Sequence, residues 1–204
     1  MARLGERIRR LEDPPLLRGE GLFAADISFP DQVHMRIVRS PVAYGRLKGI
    51  DADAALAHEG VVDVLTGIDV AHLPSIDYRQ VRATGLDPYR QPILAQDHVR
   101  YVGEPVAAIC ALDPWIAEDA EELVELDIEP LTPCLSTMAP PTALDSGLSS
   151  EAAVIEKGFG DLDRAFKDAP HRLQLQFAVG RHSGVPLETR GGIARHAGKG
   201  DVLE

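Results

Sequence analysis

Cysteine, aromatic side chains and positive charge are all scarce in this sequence. Its 204 residues hold two cysteines, one tryptophan and 5% aromatic residues. Cys110 and Cys134 cannot build a disulfide framework, and their spacing fits no zinc pattern. Both read as small buried apolar residues and suggest a reducing compartment. Lys and Arg total 21 against 32 Asp and Glu, a formal net charge of -11. That balance argues against a nucleic-acid binder, whose basic footprint must displace counterions from phosphate. It argues equally against docking on an anionic membrane surface. No uninterrupted apolar run approaches the ~20 residues a membrane helix needs. At the N-terminus, Arg9 and Arg10 lead into Leu11, Glu12, Asp13 and Pro14 rather than an apolar stretch. No export signal is therefore expected, and a cytoplasmic location is.

What is present is a globular composition, 45% hydrophobic. Residues 1–31 show no sustained period and read as an extended arm. Val33–Ser40 reads as a strand stopped by Pro41, and Leu47–Ile50 as another. Asp51–His58 reads as a short helix with Asp51 as N-cap and Gly60 as its stop. Val61–Leu65 is then a strand. Residues 66–97, with Pro74, Gly85, Pro88 and Pro92 spread through them, form a long loop or lobe. Pro105–Ala111 reads as a fully buried strand fed by a tight turn at Gly103. Asp113 and Pro114 supply an N-cap and an N1 proline for a helix from Trp115 to about Leu123. Val124, Leu126 and Ile128 alternate and face a core. Residues 130–150, rich in Pro, Ser and Thr, read as a linker. Beyond it come a helix over Leu162–Asp168 and an alternating strand with Leu173, Leu175, Phe177 and Val179 on one face.

The expected fold class is α+β, with an arm over 1–19, a main domain over 20–135, a linker over 136–150 and a further unit over 151–204. About fifty residues with two or three strands and one helix bury little apolar surface by themselves. The last unit is expected to be the beginning of a domain whose remainder lies elsewhere.

Several tempting sites fail on spacing. The run from Gly192 to Lys199 has one residue too many for a phosphate loop, and Gly200 stands where a hydroxyl should hold magnesium. Gly19 with Gly21, and Gly158 with Gly160, lack the third glycine of a dinucleotide fingerprint. His182 and Ser183, adjacent on an extended chain, point to opposite faces. The seven histidines show no helical pair of the kind that holds catalytic zinc. The carboxylates of 118–129 read as solvated faces of a helix and a strand.

Read as a string, however, the chain carries ordered blocks. They run Arg10-Leu-Glu-Asp-Pro14, Leu17-Arg-Gly-Glu-Gly21, Val38-Arg-Ser-Pro41 and Gly60-Val-Val-Asp-Val-Leu-Thr-Gly67. Further on come Val99-Arg-Tyr-Val-Gly-Glu-Pro-Val-Ala107, Gly160-Asp-Leu-Asp-Arg-Ala-Phe166 and Pro186-Leu-Glu-Thr-Arg190. This series resembles the opening of the molybdopterin-binding large subunits of the xanthine dehydrogenase/aldehyde oxidase family, in the carbon-monoxide-dehydrogenase-type branch. The resemblance implies an α/β-hammerhead domain over 20–135, followed by the start of the first molybdopterin-binding domain. It implies a molybdenum-molybdopterin cofactor, in the cytosine dinucleotide form, in the assembled enzyme. It also implies [2Fe-2S] clusters and FAD on partner subunits. The reaction implied is hydroxylation of an aldehyde or N-heterocycle with oxygen from water.

The family's cofactor loops, its glutamine near the metal oxo group and its base glutamate match no residue here, so no catalytic, cofactor or metal residue is assigned. The expected partners are another chain supplying the rest of the molybdopterin subunit, an iron-sulfur subunit and an FAD subunit. Arg181, His182, Glu188 and Arg190 stand at the entry to the second unit. They either wall a substrate funnel or hydrogen-bond at a strand end or domain seam. The basic arm, Arg3, Arg7, Arg9, Arg10 and Arg18, either pairs with an acidic partner surface or is solvated charge. Two functions follow: a structural part of a molybdenum hydroxylase, not catalytic alone, or a non-catalytic hammerhead-fold scaffold or binding protein.

Overall fold

The computed structural model describes residues 5, 8–78, 85–180, 182–186 and 188–195. Arg3, Arg7, Arg181 and the 198–200 stretch lie outside the described residues. The chain forms two compact units, one from the residues up to Gln32 with those from Pro170 onward, the other from Val33 to Ala169.

The larger unit holds two three-stranded antiparallel sheets. Its strands are β1 (His34–Arg39), β2 (Gly45–Asp51), β3 (Val61–Thr66), β4 (His98–Val99), β5 (Pro105–Ala111) and β6 (Glu125–Pro130). One sheet runs β1-β5-β3, the other β4-β2-β6. Strand β5 is central because Val106, Ala107, Ala108 and Ile109 are apolar on both faces and all are buried. Its Pro105 sits at the first position, where a missing N–H is tolerated. The register pairs Ile37 with Ala108 and Val64 with Ile109 across this strand.

Both strand-helix-strand passes of the sequence are crossovers between the two sheets. Helix α2 (Asp53–Leu56) carries the chain from β2 to β3, and helix α3 (Pro114–Glu121) carries it from β5 back to β6. The result is mixed α and β with antiparallel pairing throughout. Asp113 caps α3 as expected, accepting the Trp115 N–H at 2.8 Å, with Pro114 in the first turn. Ala117 and Ala120 face inward, while Glu118, Asp119 and Glu122 stay exposed. Asp51, expected as the cap of α2, instead ends β2. Ala52 takes the cap position, and the Asp51 carboxylate reaches past it to accept the Asp53 N–H at 3.1 Å.

The core has two clusters. Val38, Ala55, Val64, Ala107, Ile109 and Ala120 form one, and Ala95, Val99 and Val106 the other. Leu126 packs against both, with Val124 on the first and Ile128 on the second, so the alternation read along 124–128 does face a core.

Three further expectations fail. Residues 1–31 are not wholly extended: helix α1 spans Asp13–Leu17 and a 3-10 turn spans Ala24–Asp26. Pro14 and Pro15 preset φ for a first helical turn, which five residues suffice to form. The 172–179 segment does not form a strand, and its apolar face is bare, with Leu173 79%, Leu175 64%, Phe177 82% and Val179 83% exposed. A strand finds its hydrogen-bond partners on a neighbour, so alternation without a neighbour leaves an extended chain. Cys134 is exposed rather than buried, and Cys110 is half-buried. Helix α4 (Leu162–Asp168) forms as expected, with the Asp161 carboxylate accepting the Arg164 N–H at 2.9 Å.

Candidate functional site

Of the four residues expected near a funnel or seam, three are described. The Glu188 carboxylate accepts the Ala24 N–H at 3.3 Å. His182 Nδ1 lies 3.2 Å from the carbonyl oxygen of Gly180, two residues away. Arg190 is exposed. None of the three lines either of the two clefts described below, so the structure does not gather them into a site.

One polar arrangement in the larger unit is held in the motifs without being revealed by them. Val38–Pro41 and Val99–Ala107 are far apart in sequence, yet they meet in one knot. Gly103 adopts φ 89°, a left-handed conformation that favours glycine, and so reverses the chain after Tyr101 and Val102. Its N–H donates to Ser40 O at 2.8 Å, and the Ser40 N–H donates to Glu104 O at 2.9 Å. Arg39 Nη1 donates to Gly103 O at 2.8 Å. Glu104 is 1% exposed. Its carboxylate accepts the Arg100 backbone N–H, the Arg100 Nε at 2.9 Å and the Arg100 Nη2. With its acceptors occupied and no solvent access, this carboxylate holds the turn that launches β5 and is shut off from any substrate.

A second network lies on the β4-β2-β6 sheet. Arg46 Nη2 donates to both carboxylate oxygens of Asp145 at 2.8 Å, and His98 Nε2 lies 2.9 Å from Asp145 Oδ2. Glu129 accepts from Arg46 Nη1 and Lys48 Nζ, each at 3.1 Å. The hydrogen bonds from His98 and Arg46 hold the Asp145 carboxyl below its ordinary range. Lys48, with Arg46 behind it, does the same to Glu129. The His98 ring stacks on Tyr44 with centroids 6.1 Å apart. Tyr44 is 8% exposed, and its hydroxyl is buried without a hydrogen-bond partner.

Two clefts flank these groups. One of about 610 Å³ is lined by Tyr44, the 131–136 stretch, and residues 139, 140 and 142–145. The other, about 430 Å³, is lined by residues 49–51 and 125–127, including Asp51, Glu125 and Asp127. A pterin cofactor carries phosphate and needs cations or clustered N–H donors. The first cleft offers one charged group, the already paired Asp145, and the second offers only carboxylates. These residues do not fit the cofactor. No group of three or more potential metal ligands occurs among the described residues. Burial pushes the Cys110 thiol up, and the Asp63 carboxylate adds to the effect, so it is no activated nucleophile.

Residues 18–132 match the family model described as the α/β hammerhead domain of aldehyde oxidase and xanthine dehydrogenase. The 6-hydroxypseudooxynicotine dehydrogenase complex subunit gamma of Paenarthrobacter nicotinovorans is 40% identical over 98% of this chain and 26% of its own length. The carbon monoxide dehydrogenase large chain of Hydrogenophaga pseudoflava is 32% identical over 90% of this chain and 24% of its own. The chain thus spans about a quarter of the length of these relatives. Among solved structures, quinoline 2-oxidoreductase from Pseudomonas putida 86 superposes with a TM-score of 0.54 at 38% identity, covering 63% of this chain and 16% of that one. No helix among the described residues is long and apolar enough to cross a membrane. The chain therefore belongs to the aldehyde oxidase and xanthine dehydrogenase family, and contributes to it an α/β hammerhead domain.

Proposed function

We propose that this chain is a structural part of a molybdenum hydroxylase, completed by another chain that carries the cofactor loops and the base glutamate. The assembled enzyme oxidises an aldehyde or N-heterocycle with water as the oxygen source. The observation that carries this reading is the 40% identity, along nearly the whole chain, to a subunit of a dehydrogenase complex. N-heterocycles are the favoured substrate class, because relatives include a nicotine 6-hydroxylase large subunit and a quinoline 2-oxidoreductase. The poor fit of both clefts to the cofactor supports a non-catalytic role for this part. The bare face of Leu173, Leu175, Phe177 and Val179 supports completion by more polypeptide, which would bury it. The molybdenum-molybdopterin cofactor, as its cytosine dinucleotide, sits in that completing chain. [2Fe-2S] clusters and FAD sit on partner subunits, and the assembly is cytoplasmic.

The test is co-expression of this chain with the remaining portion of a family large subunit and the two electron-transfer subunits, followed by pull-down through this chain. The expected result is a complex containing molybdenum and pterin in equal amounts, with N-heterocycle-dependent dye reduction that this chain alone lacks. A colourless monomer that recruits neither metal nor pterin would overturn the reading and favour the scaffold alternative.

A further inference from the structure

Helix α3 packs inward on β1, β3, β5 and α2. Its outer face is bare. Trp115, Glu118, Asp119 and Glu122 follow one another at helical spacing on one side, and all four are exposed. Trp115, the one tryptophan of the chain, is 72% exposed, and Leu112 just before the helix is 63% exposed. Tryptophan is among the residues that most often anchor an interface. Arg36 reaches Glu118 and Glu121 from β1, but Asp119 and Glu122 have no cation among the described residues. No sequence neighbour can supply one, because no Lys or Arg occurs from Tyr101 to Glu156. An aromatic ring with unneutralised carboxylates beside it suits a guanidinium, whose plane stacks on the ring while its N–H groups reach the carboxylates.

The same polypeptide carries the complement. Ile8, Arg9, Arg10 and Leu11 are all exposed, Ile8 at 74% and Leu11 at 94%. Neither arginine has an ion pair among the described residues. In a chain of net charge -11, this is a basic segment with apolar side chains on both sides of its charges. Its sign is opposite to that of the α3 face, and its apolar residues match Trp115 and Leu112. We propose that the outer face of α3 docks the N-terminal arm of a second copy of this chain, with Arg9 and Arg10 against Trp115, Asp119 and Glu122. Under two-fold symmetry each copy gives an arm and receives one, so two such contacts form together.

The experiment is sedimentation velocity on the full chain across a concentration series, with tryptophan emission recorded beside it. Because Trp115 is the one tryptophan, that emission reports directly on this face. Rising concentration should convert monomer to dimer and move the emission to shorter wavelength as the ring leaves water. Raised salt should weaken the dimer, because it screens exposed charges. Arg9→Glu with Arg10→Glu should raise the dimer dissociation constant on the order of tenfold, and Asp119→Arg with Glu122→Arg should do the same. All four reversals in one chain should restore dimerisation, a rescue that simple damage to the fold does not give. A monomer at every concentration, a dimer with unchanged Trp115 emission, an emission shift independent of concentration, or reversals that fail to weaken the dimer or to rescue each other would each overturn the proposal.

Discussion

Glu104 offers the sharpest test of how the fold is held. Its carboxylate is 1% exposed and accepts three hydrogen bonds from Arg100, one of them from the backbone. Truncation to alanine strands a part-buried backbone N–H and leaves a guanidinium without its counter-ion. Breaking a buried pair on one side costs about 3–5 kcal/mol. The Arg100 side chain is 34% exposed and regains water, which places the expected loss at the lower end, about 3 kcal/mol. For a chain of this size each kcal/mol moves Tm by about 2–4 °C, so Glu104→Ala should lower it by about 6–12 °C. Glu104→Gln keeps the shape and one acceptor, and should lose about 1–2 kcal/mol. Replacing Arg100 and Glu104 together by methionine should recover the part of the loss that comes from the unpaired guanidinium, while the Arg100 backbone N–H stays without its acceptor. Urea unfolding followed by circular dichroism, with thermal melts beside it, measures all three. If Glu104→Ala falls within about 0.5 kcal/mol of wild type, the range of an ordinary surface change, the knot is not what anchors β5.

Three further outcomes are expected. Ile109→Ala removes a fully buried side chain at the centre of the first core cluster and should cost about 3 kcal/mol in urea unfolding. Asp113→Ala removes the cap from α3 and should cost about 1 kcal/mol, read in the same assay. Asp69 accepts the Thr66 N–H and hydroxyl, each at 2.7 Å, and the backbone bond is the larger cause that holds its carboxyl below the ordinary range. Because its folded pKa is depressed, its contribution is fully present above the unfolded value of about 3.9 and disappears as pH falls through the folded value. Denaturant titrations from neutral pH into acid should therefore show a decline in that window, and Asp69→Asn should flatten it.

The elements that were legible are those whose signal is local. The Asp113-Pro114 start of α3 and the alternation at Val124, Leu126 and Ile128 each depend on neighbours within one turn or one strand. The ordered motifs named the family without any geometry. Pairing was not legible, because nothing near Ile37 states that Ala108 will lie opposite it. The Ser40–Glu104 knot was hidden for the same reason: its halves are separate strings until the chain brings them together. Residues 142–150 looked like the end of a linker because Ser, Thr and Gly, following Pro140 and Pro141, mark loops by composition, while the role of Asp145 depends on Arg46, ninety-nine positions away. Leu173 to Val179 teaches the converse. Its pattern states a preference for a sheet, and a preference becomes structure only where an edge is available.

The pairing map also governs how this polypeptide can be made. None of β1, β2 and β3 pairs with another of the three; the strands they pair with are β4, β5 and β6. Until a ribosome has moved from β1 to β4 and β5, no ladder can close, and at about 5–20 residues per second the earlier strands wait for seconds with their edges open. Chaperone demand and aggregation during synthesis should therefore peak before Pro105–Ala111 emerges from the exit tunnel, and fall once that strand can clasp both of its neighbours.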